Sequence, residues 1–317
     1  MSSAPNALPT AVGREADRST SSETRHDYRF WTMWPWVLIH LLPLLAIFTG
    51  VTWQAVAVCA VLFWFRLFMV TSVYHRYFSH RTYKTSRVFQ FILAFFAETT
   101  VQRGVLWWAA HHRAHHLYSD TERDIHSPEQ DGFWHAHAGW LWVPANTRTQ
   151  YHRIKDFAKY PELVFLDRYY LIPPIVMGTT VWLLFGWSGL LIGFFLSTVL
   201  LWHTTYVINS LCHVWGSRRY DTSDTSRNNL WLALLTMGEG WHNNHHHYMN
   251  SCRQGFYWWE VDFTYYGLKV LSWLGLVWDI KEPPPRVLEA GREADRTGRL
   301  APSSGSNAPS SGSTQVA

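Results

Sequence analysis

The sequence predicts an all-α integral-membrane protein, with four transmembrane helices in two hairpins and a cytoplasmic helical cap holding a histidine-rich metal site. Three observations carry this expectation. No Lys, Arg, Asp or Glu occurs between Arg29 and Arg66, or between Arg168 and Arg218, and each gap is long enough for a pair of membrane crossings. Each gap is divided near its middle by a short turn. Of the 18 histidines, eight fall within residues 111–116 and 242–247, where uniform scattering would put roughly one. The mean hydropathy of −0.12 hides the pattern, because apolar blocks and charged segments average out.

In the first gap, residues 30–48 and 51–74 are apolar and separated only by Thr49 and Gly50; each approaches the ~20 residues that cross a bilayer. In the second, residues 169–185 and 190–211 flank Gly186, Trp187, Ser188 and Gly189, and Pro173 and Pro174 stand near a helix start, where a missing N–H is tolerated. Two buried hairpins of a soluble protein are the plainer alternative, and gaps of this length disfavour it. The tips carry no charge, while the 27 Lys and Arg lie toward the opposite ends and beyond, so the positive-inside rule places those parts in the cytoplasm. A bacterial inner membrane is the expected location, and Trp and Tyr, 20 and 15 in number, can supply interfacial belts. Residues 88–106 are apolar but interrupted by Gln90, Glu98, Gln102 and Arg103, which reads as one helix lying on the membrane surface.

A membrane domain at residues 26–285 is thus expected between two disordered tails, residues 1–25 and 286–317. The first 25 residues and residues 301–317 are especially rich in Ser, Ala, Pro and Gly. The N-terminal stretch lacks the apolar core of a secretory signal peptide. The hexapeptide Gly-Arg-Glu-Ala-Asp-Arg occurs at residues 13–18 and again at 291–296, too short a repeat to define an array. A net charge of +4 without dense basic clusters gives no footprint for nucleic acid; the basic excess suits anionic lipid headgroups. Cys59, Cys212 and Cys252 are scattered, which suggests neither a disulfide framework nor a thiolate metal site.

The histidines carry the chemistry. Residues at i, i+3 and i+4 share a helix face, so His112, His115 and His116 can converge on one point, as can His242, His245 and His246; Asn209 and His213 also share a face. His75 and His80 differ, because five residues turn an α-helix side chain by about 140°. Either the helix ends near Ser79 or the two imidazoles serve different ions. Imidazole ligates zinc, copper, iron and nickel alike. Nine histidines are too many for one tetrahedral zinc, so two five- or six-coordinate ions are the economical reading. Neither H-E-x-x-H nor the Glu-x-x-His of soluble carboxylate bundles is present. His26, His40 and His152 read as ordinary polar or packed residues, with His135 and His137 intermediate. His203 lies within the last span, where an ionisable residue suggests function, but no partner is evident from sequence.

These motifs resemble the membrane fatty-acid desaturases, especially the delta-9 acyl desaturases of the stearoyl type. The text carrying the resemblance is His75-Arg76-Tyr77-Phe78-Ser79-His80-Arg81-Thr82-Tyr83-Lys84, His112-Arg113-Ala114-His115-His116, Asn209 and His213, and Gly238-Glu239-Gly240-Trp241-His242-Asn243-Asn244-His245-His246. The resemblance implies two irons ligated by His75, His80, His112, His115, His116, His213, His242, His245 and His246, with Asn209 approaching one ion through water. It implies Asp124, His126 and Glu239 as partners of the ligating rings; solvated loop charge is the plainer reading of the acids. It implies O2-dependent insertion of a cis double bond into a saturated acyl chain in an apolar tunnel. Phe63 and Leu67 would stand near the tunnel's closed end, the alternative being ordinary packing.

Ala110 and His111 replace the Arg-Asp that contacts the thioester headgroup in animal enzymes, so the carrier stays open between coenzyme A, a lipid and a carrier protein. His111 and His247 extend their boxes and could shift the ligand register by one. No haem or iron–sulfur module is recognisable, so electrons are expected from a separate ferredoxin, or from cytochrome b5 with its reductase. Two rival functions share these features: fatty acyl hydroxylation on the same centre, and membrane metal binding or transport, which would put ligands near the bilayer midplane.

Overall fold

The computed structural model describes residues 26–302. The expected N-terminal tail, the last part of the expected C-terminal tail and the first copy of the hexapeptide lie outside the described residues. Among the described residues three helices are long and apolar enough to cross a membrane: Trp31–Thr49, Trp53–Ser79 and Ile172–Val214. The first tightens to a 3-10 turn at Leu42–Leu45 around Pro43, which has no N–H to donate. Thr52 caps the second by accepting from Ala55 N at 3.2 Å. Ile47 and Phe48 are 79% and 80% exposed, a surface suited to lipid rather than water.

The second helix is not uniform. After Trp53–Met69 it widens into a ten-residue π-helix, Val70–Ser79, and reaches five residues beyond the span expected from sequence. His80 N donates to His75 O at 3.2 Å, an i→i+5 bond. This wider turn brings residues five apart back to one side. The rings of His75 and His80 lie 4.8 Å apart. Of the two alternatives that α-helical geometry leaves open, the first holds: the helix ends at Ser79, and both imidazoles face one point.

The third stretch is helical for 43 residues but breaks at Gly186, whose φ of 63° and ψ of −161° lie outside helical values. Beyond it the chain folds back, so that Phe194 and Leu190 contact Gly178. Arg66 is fully buried against the second arm. Its guanidinium donates to Thr198 Oγ1 at 2.8 Å, to Thr99 O and Phe194 O at 3.3 Å, and to Ser197 Oγ. Neutral acceptors from two segments thus hold one intramembrane charge.

The surface helix expected over residues 88–106 is two elements. Arg87–Glu98 ends in a turn in which Val101 and Arg103 take left-handed φ of 60° and 66°, and Val105–Tyr118 starts anew. Glu98 Oε1 and Asp167 Oδ1 accept from Val105 N and Trp107 N at 3.1 and 2.8 Å, so acids distant from the helix in sequence or across the turn satisfy donors that the helix itself cannot. Two short strands, Lys84–Thr85 and Val277–Trp278, pair antiparallel and tie the end of the first box to the C-terminal region.

The C-terminal tail expected from residue 286 is also corrected, because Pro285–Thr297 is a helix. Val287, Gly291 and Ala294 are its buried positions, and Asp295 pairs with Arg219 at 3.0 Å. Its composition looks polar because only one narrow face packs. At Gly291 a Cβ would lie 2.2 Å from Tyr220 Oη and 2.4 Å from Tyr257 Oη. We expect Gly291→Leu to cost about 1–3 kcal/mol through overpacking and to open Arg286 and Arg292 to trypsin, read by limited proteolysis.

Burial pushes the Glu98 carboxyl up to about 9. A raised folded pKa contributes stability that is complete below the ordinary carboxyl range and is lost as pH rises through about 9. Glu98→Gln is therefore expected to raise Tm more at pH 8 than at pH 5, and an equal change at both would contradict this.

Candidate metal centre

Two groups of histidines in this fold can each hold a metal ion: His75, His80, His112, His116 and His245 in one, and His115, His213, His242 and His246 in the other. Within each group one ring nitrogen per residue lies within 4.8 Å of the others. Neither HxxHH box converges on a single point as its spacing suggests. His112 and His116 turn to the first group and His115 to the second, while His242 and His246 turn to the second and His245 to the first. The reason is helical phase: the i and i+4 residues stay close, whereas i+3 lies on the other side of i. The two boxes exchange one ring each and so bind the two groups together.

In the five-histidine group the Nε2 atoms form a string: His75 to His245 at 3.0 Å, His245 to His116 at 2.9 Å, His116 to His112 at 3.0 Å and His112 to His80 at 2.9 Å. Each Nε2 offers one hydrogen or one lone pair, so these four contacts cannot all be hydrogen bonds. A cation among them satisfies all five at once. In the second group His213 Nε2 and His242 Nε2 are 3.1 Å apart, and His246 Nε2 is buried without a hydrogen-bond partner.

The opposite nitrogens fix the ring orientation. His75 Nδ1 lies 2.5 Å from Glu239 Oε2, His115 Nδ1 2.9 Å from Asp124 Oδ2, His213 Nδ1 3.0 Å from Asp120 Oδ2 and His246 Nδ1 2.6 Å from Asp224 Oδ2. A carboxylate only accepts, so each Nδ1 carries hydrogen and the neutral ring presents an Nε2 lone pair inward. Glu239 and Asp124 stand among the sequence candidates; Asp120 and Asp224 do not. They lie 93 and 22 residues from their histidines, so no local spacing marks them. Asp120 occupies the left-handed region, φ 57°, which Asp tolerates, and also accepts from Thr225 N and Oγ1.

Burial opposes ionisation of all four acids, yet bonds and charge from their partners hold each below the ordinary carboxylate range. Burial, reinforced by neighbouring rings, holds His80, His112, His116, His242 and His245 well below the ordinary imidazole range. Neutral rings are the form that ligates metal. For His115 burial acts the same way, but Asp124 outweighs it and favours positive charge there.

Glu239 also accepts from Arg76 Nη2 at 3.0 Å and Gln254 Nε2 at 2.9 Å, and Arg76 Nη1 pairs with Asp262 at 3.0 Å. Arg76 and both acids are fully buried, so the first-box helix is locked to the third box through ions.

Beside the histidines lies a cavity of about 250 Å³, lined among others by Trp36, Trp108, Trp140, Tyr206, His112 and Asn209. Asn209 lines it rather than sharing a helix face with His213, because the helix ends at Asn209 and a new turn begins at Leu211. Trp108 stacks on His112 at 4.9 Å and donates to Gln102, which donates to Thr205; none of these three stands among the sequence candidates. His126 lies against His115 at 4.4 Å. Leu67 is fully buried in the core and Phe63 packs against it. Neither lines this cavity or the smaller one lined by Val70, Thr71, Thr205, Ile208 and Asn209.

His111 bonds Trp107 O and His247 stacks on Tyr220, so both lie outside the two groups and no shift of register occurs. His203 does have partners: its Nε2 meets His40 Nε2 and its Nδ1 meets His137 Nε2, both at 3.0 Å, and His137 Nδ1 reaches Ser210 Oγ at 3.0 Å. His40 is thus a packed residue, against His203 and Trp36.

Residues 51–269 match the family model described as fatty acid desaturase. A palmitoyl-monogalactosyldiacylglycerol delta-7 desaturase, chloroplastic, of Arabidopsis thaliana is 37% identical over 255 residues, 77% of this chain and 67% of that protein. An sn-2 palmitoyl-lipid 9-desaturase of Nostoc sp. (strain 36) is 35% identical over 241 residues, 74% of this chain and 84% of that protein. An sn-1 stearoyl-lipid 9-desaturase of Anabaena variabilis is 38% identical over 232 residues, 73% of this chain and 85% of that protein.

Loss of an outer carboxylate leaves a ligating ring free to turn. Asp224→Ala is expected to weaken metal binding by the four-histidine group about 10–100-fold with circular dichroism unchanged, measured by chelator competition.

Proposed function

Because the chain belongs to the fatty acid desaturase family, and is thus a membrane oxidoreductase acting on fatty acyl chains, we propose that it inserts a cis double bond at the delta-9 position of a saturated acyl chain carried by a lipid. The observation that carries this reading is the pair of imidazole groups beside an aromatic-walled cavity. Two of the relatives are named as palmitoyl-lipid and stearoyl-lipid 9-desaturases, which supports the lipid carrier and the position. His111, where a thioester-contacting acid is expected for coenzyme A, supports the same choice.

The two groups would each hold one iron, the first through His75, His80, His112, His116 and His245, the second through His115, His213, His242 and His246 with Asn209 near its open side. When bound, the irons supply activation of O2 and removal of one hydrogen from each of two adjacent methylenes. The chain's own residues do the rest. Glu239, Asp124, Asp120 and Asp224 hold ligand rings in one tautomer. Trp108, braced by Gln102 and Thr205, forms a rigid wall beside His112 against which the acyl chain is positioned. The indole-rich lining keeps water from the reacting carbons.

We read four passes: Trp31–Thr49, Trp53–Ser79 and the two arms of Ile172–Val214 folded at Gly186. The uncharged turns lie on the far side and the histidines at the cytoplasmic face of a bacterial inner membrane, in keeping with the positions of Lys and Arg. His75 and His80 at the end of one span, and His213 at the end of another, are far from its middle, which disfavours a transport pathway. Electrons come from a separate ferredoxin or cytochrome b5.

Expression in a host lacking unsaturated fatty acids tests the reading, with lipids analysed by gas chromatography and mass spectrometry. A new delta-9 cis bond is expected, absent in a His115→Ala strain. A hydroxylated product without a double bond would favour the rival reaction, and unchanged product in the variant would remove His115 from the ligands.

A further inference from the structure

The five-histidine group has a second open side. His112 faces the aromatic cavity, but His80 and His116 line a different basin of about 540 Å³ with Ser79, Arg113, Leu117, Arg153 and Met249. The remaining members, His75 and His245, are 5% and 1% exposed. The centre is therefore reached from two directions by different rings.

The basin's chemistry differs from the cavity's. Arg113 and Arg153 line it; Arg81, whose side chain is 62% exposed, joins them through Asp156, which also pairs with Arg113. Arg123 and Arg153 both lie over the Tyr118 ring, at 4.0 and 5.5 Å, and Lys155 is exposed nearby. The acids here are Asp156 and Glu122, so cations predominate. Leu117 and Met249 are 63% and 39% exposed within this frame. An apolar centre inside a charged rim is how a specific protein contact is built.

Conversion of –CH2–CH2– and O2 to –CH=CH– and two waters balances only with two further electrons and two protons. Among the described residues the three cysteines are buried and unpaired, and no group of cysteines can hold an iron–sulfur cluster. We propose that this basin is the docking site of an acidic one-electron carrier protein, which passes electrons to the centre through the ring edges of His80 and His116, two carriers being oxidised per double bond. The inference rests on the desaturase reading for its need of electrons, and on the basin's own charge and exposure for its place.

The test uses the full chain in phosphatidylcholine vesicles, with a plant-type [2Fe–2S] ferredoxin as acidic carrier and reduced methyl viologen as small reductant. In the double variant Arg153→Glu, Lys155→Glu, neither altered side chain bonds a histidine of the centre. We expect its KM for ferredoxin to rise about tenfold, with the rate on methyl viologen kept within about twofold. The parent's KM should rise with salt, and the variant's much less. Leu117→Ala, which leaves charge untouched, should also raise KM. Sedimentation of oxidised ferredoxin with the vesicles needs no turnover. Parent binding that the charge reversal abolishes supports the site even if no double bond forms, an outcome that would count against the desaturase reading alone. An unchanged KM, or no parent binding at low salt, overturns the proposal. So does a rim whose reversal alters only the dependence of the methyl viologen rate on added phosphatidylglycerol, which would assign it to lipid headgroups.

Discussion

Nine buried and half-buried imidazoles turned toward one another form the arrangement on which the rest of this structure depends. Lone pairs 2.9 to 3.1 Å apart repel unless positive charge lies between them, and burial makes it costly for His80, His112, His116, His242 and His245 to take up protons instead. The fold meets this constraint from outside. Four carboxylates, each supplied by a loop or turn rather than a span, hold four of the rings by their outer nitrogens. The apolar spans deliver His75, His80 and His213, and the segments between and after them supply the remaining rings with the acids that orient them. Neither part forms the centre alone, and the Arg76 ion network ties the second span to the third box.

The spans themselves are joined by polar groups. Without a hydrophobic driving force between helices in lipid, hydrogen bonds and close packing hold a bundle together. Arg66 bonds neutral oxygens of the third span and of the turn at Thr99. The His40–His203–His137 string joins the first span, the third and the short helix Phe133–His137. The first span exposes most of its apolar surface and forms one wall of the aromatic cavity through Trp36 and Ile39, so this string also holds the cavity's outer wall in place.

Much of this was legible in the sequence where one residue type or one local pattern sufficed. Charge-free gaps marked the apolar spans, and the density of histidines marked the site. What escaped depended on geometry that spacing does not encode. Spacing of i, i+3 and i+4 says that three rings lie near one face, but not that they divide between two points, as His112, His115 and His116 do. Asp120 and Asp224 are ordinary loop acids in sequence, and only the folded chain brings them to His213 and His246. The helix at Pro285–Thr297 looked like a tail because three small or β-branched residues suffice to anchor it on Tyr220 and Tyr257. The break at Glu98 was hidden because the turn that causes it uses left-handed Val101 and Arg103, residues that seldom advertise such a conformation.

The π-helix at Val70–Ser79 has a consequence for how this chain can vary. A π-turn carries one more residue than the α-turn it replaces. Deleting a residue from Val70 to Tyr74 would let the helix rewind to the commoner form, in which five residues turn a side chain by about 140°, and His75 would swing away from His80. His75 would then leave the other four imidazoles of its group. The length of this stretch is thus as tightly fixed as the identity of the two histidines it brings together.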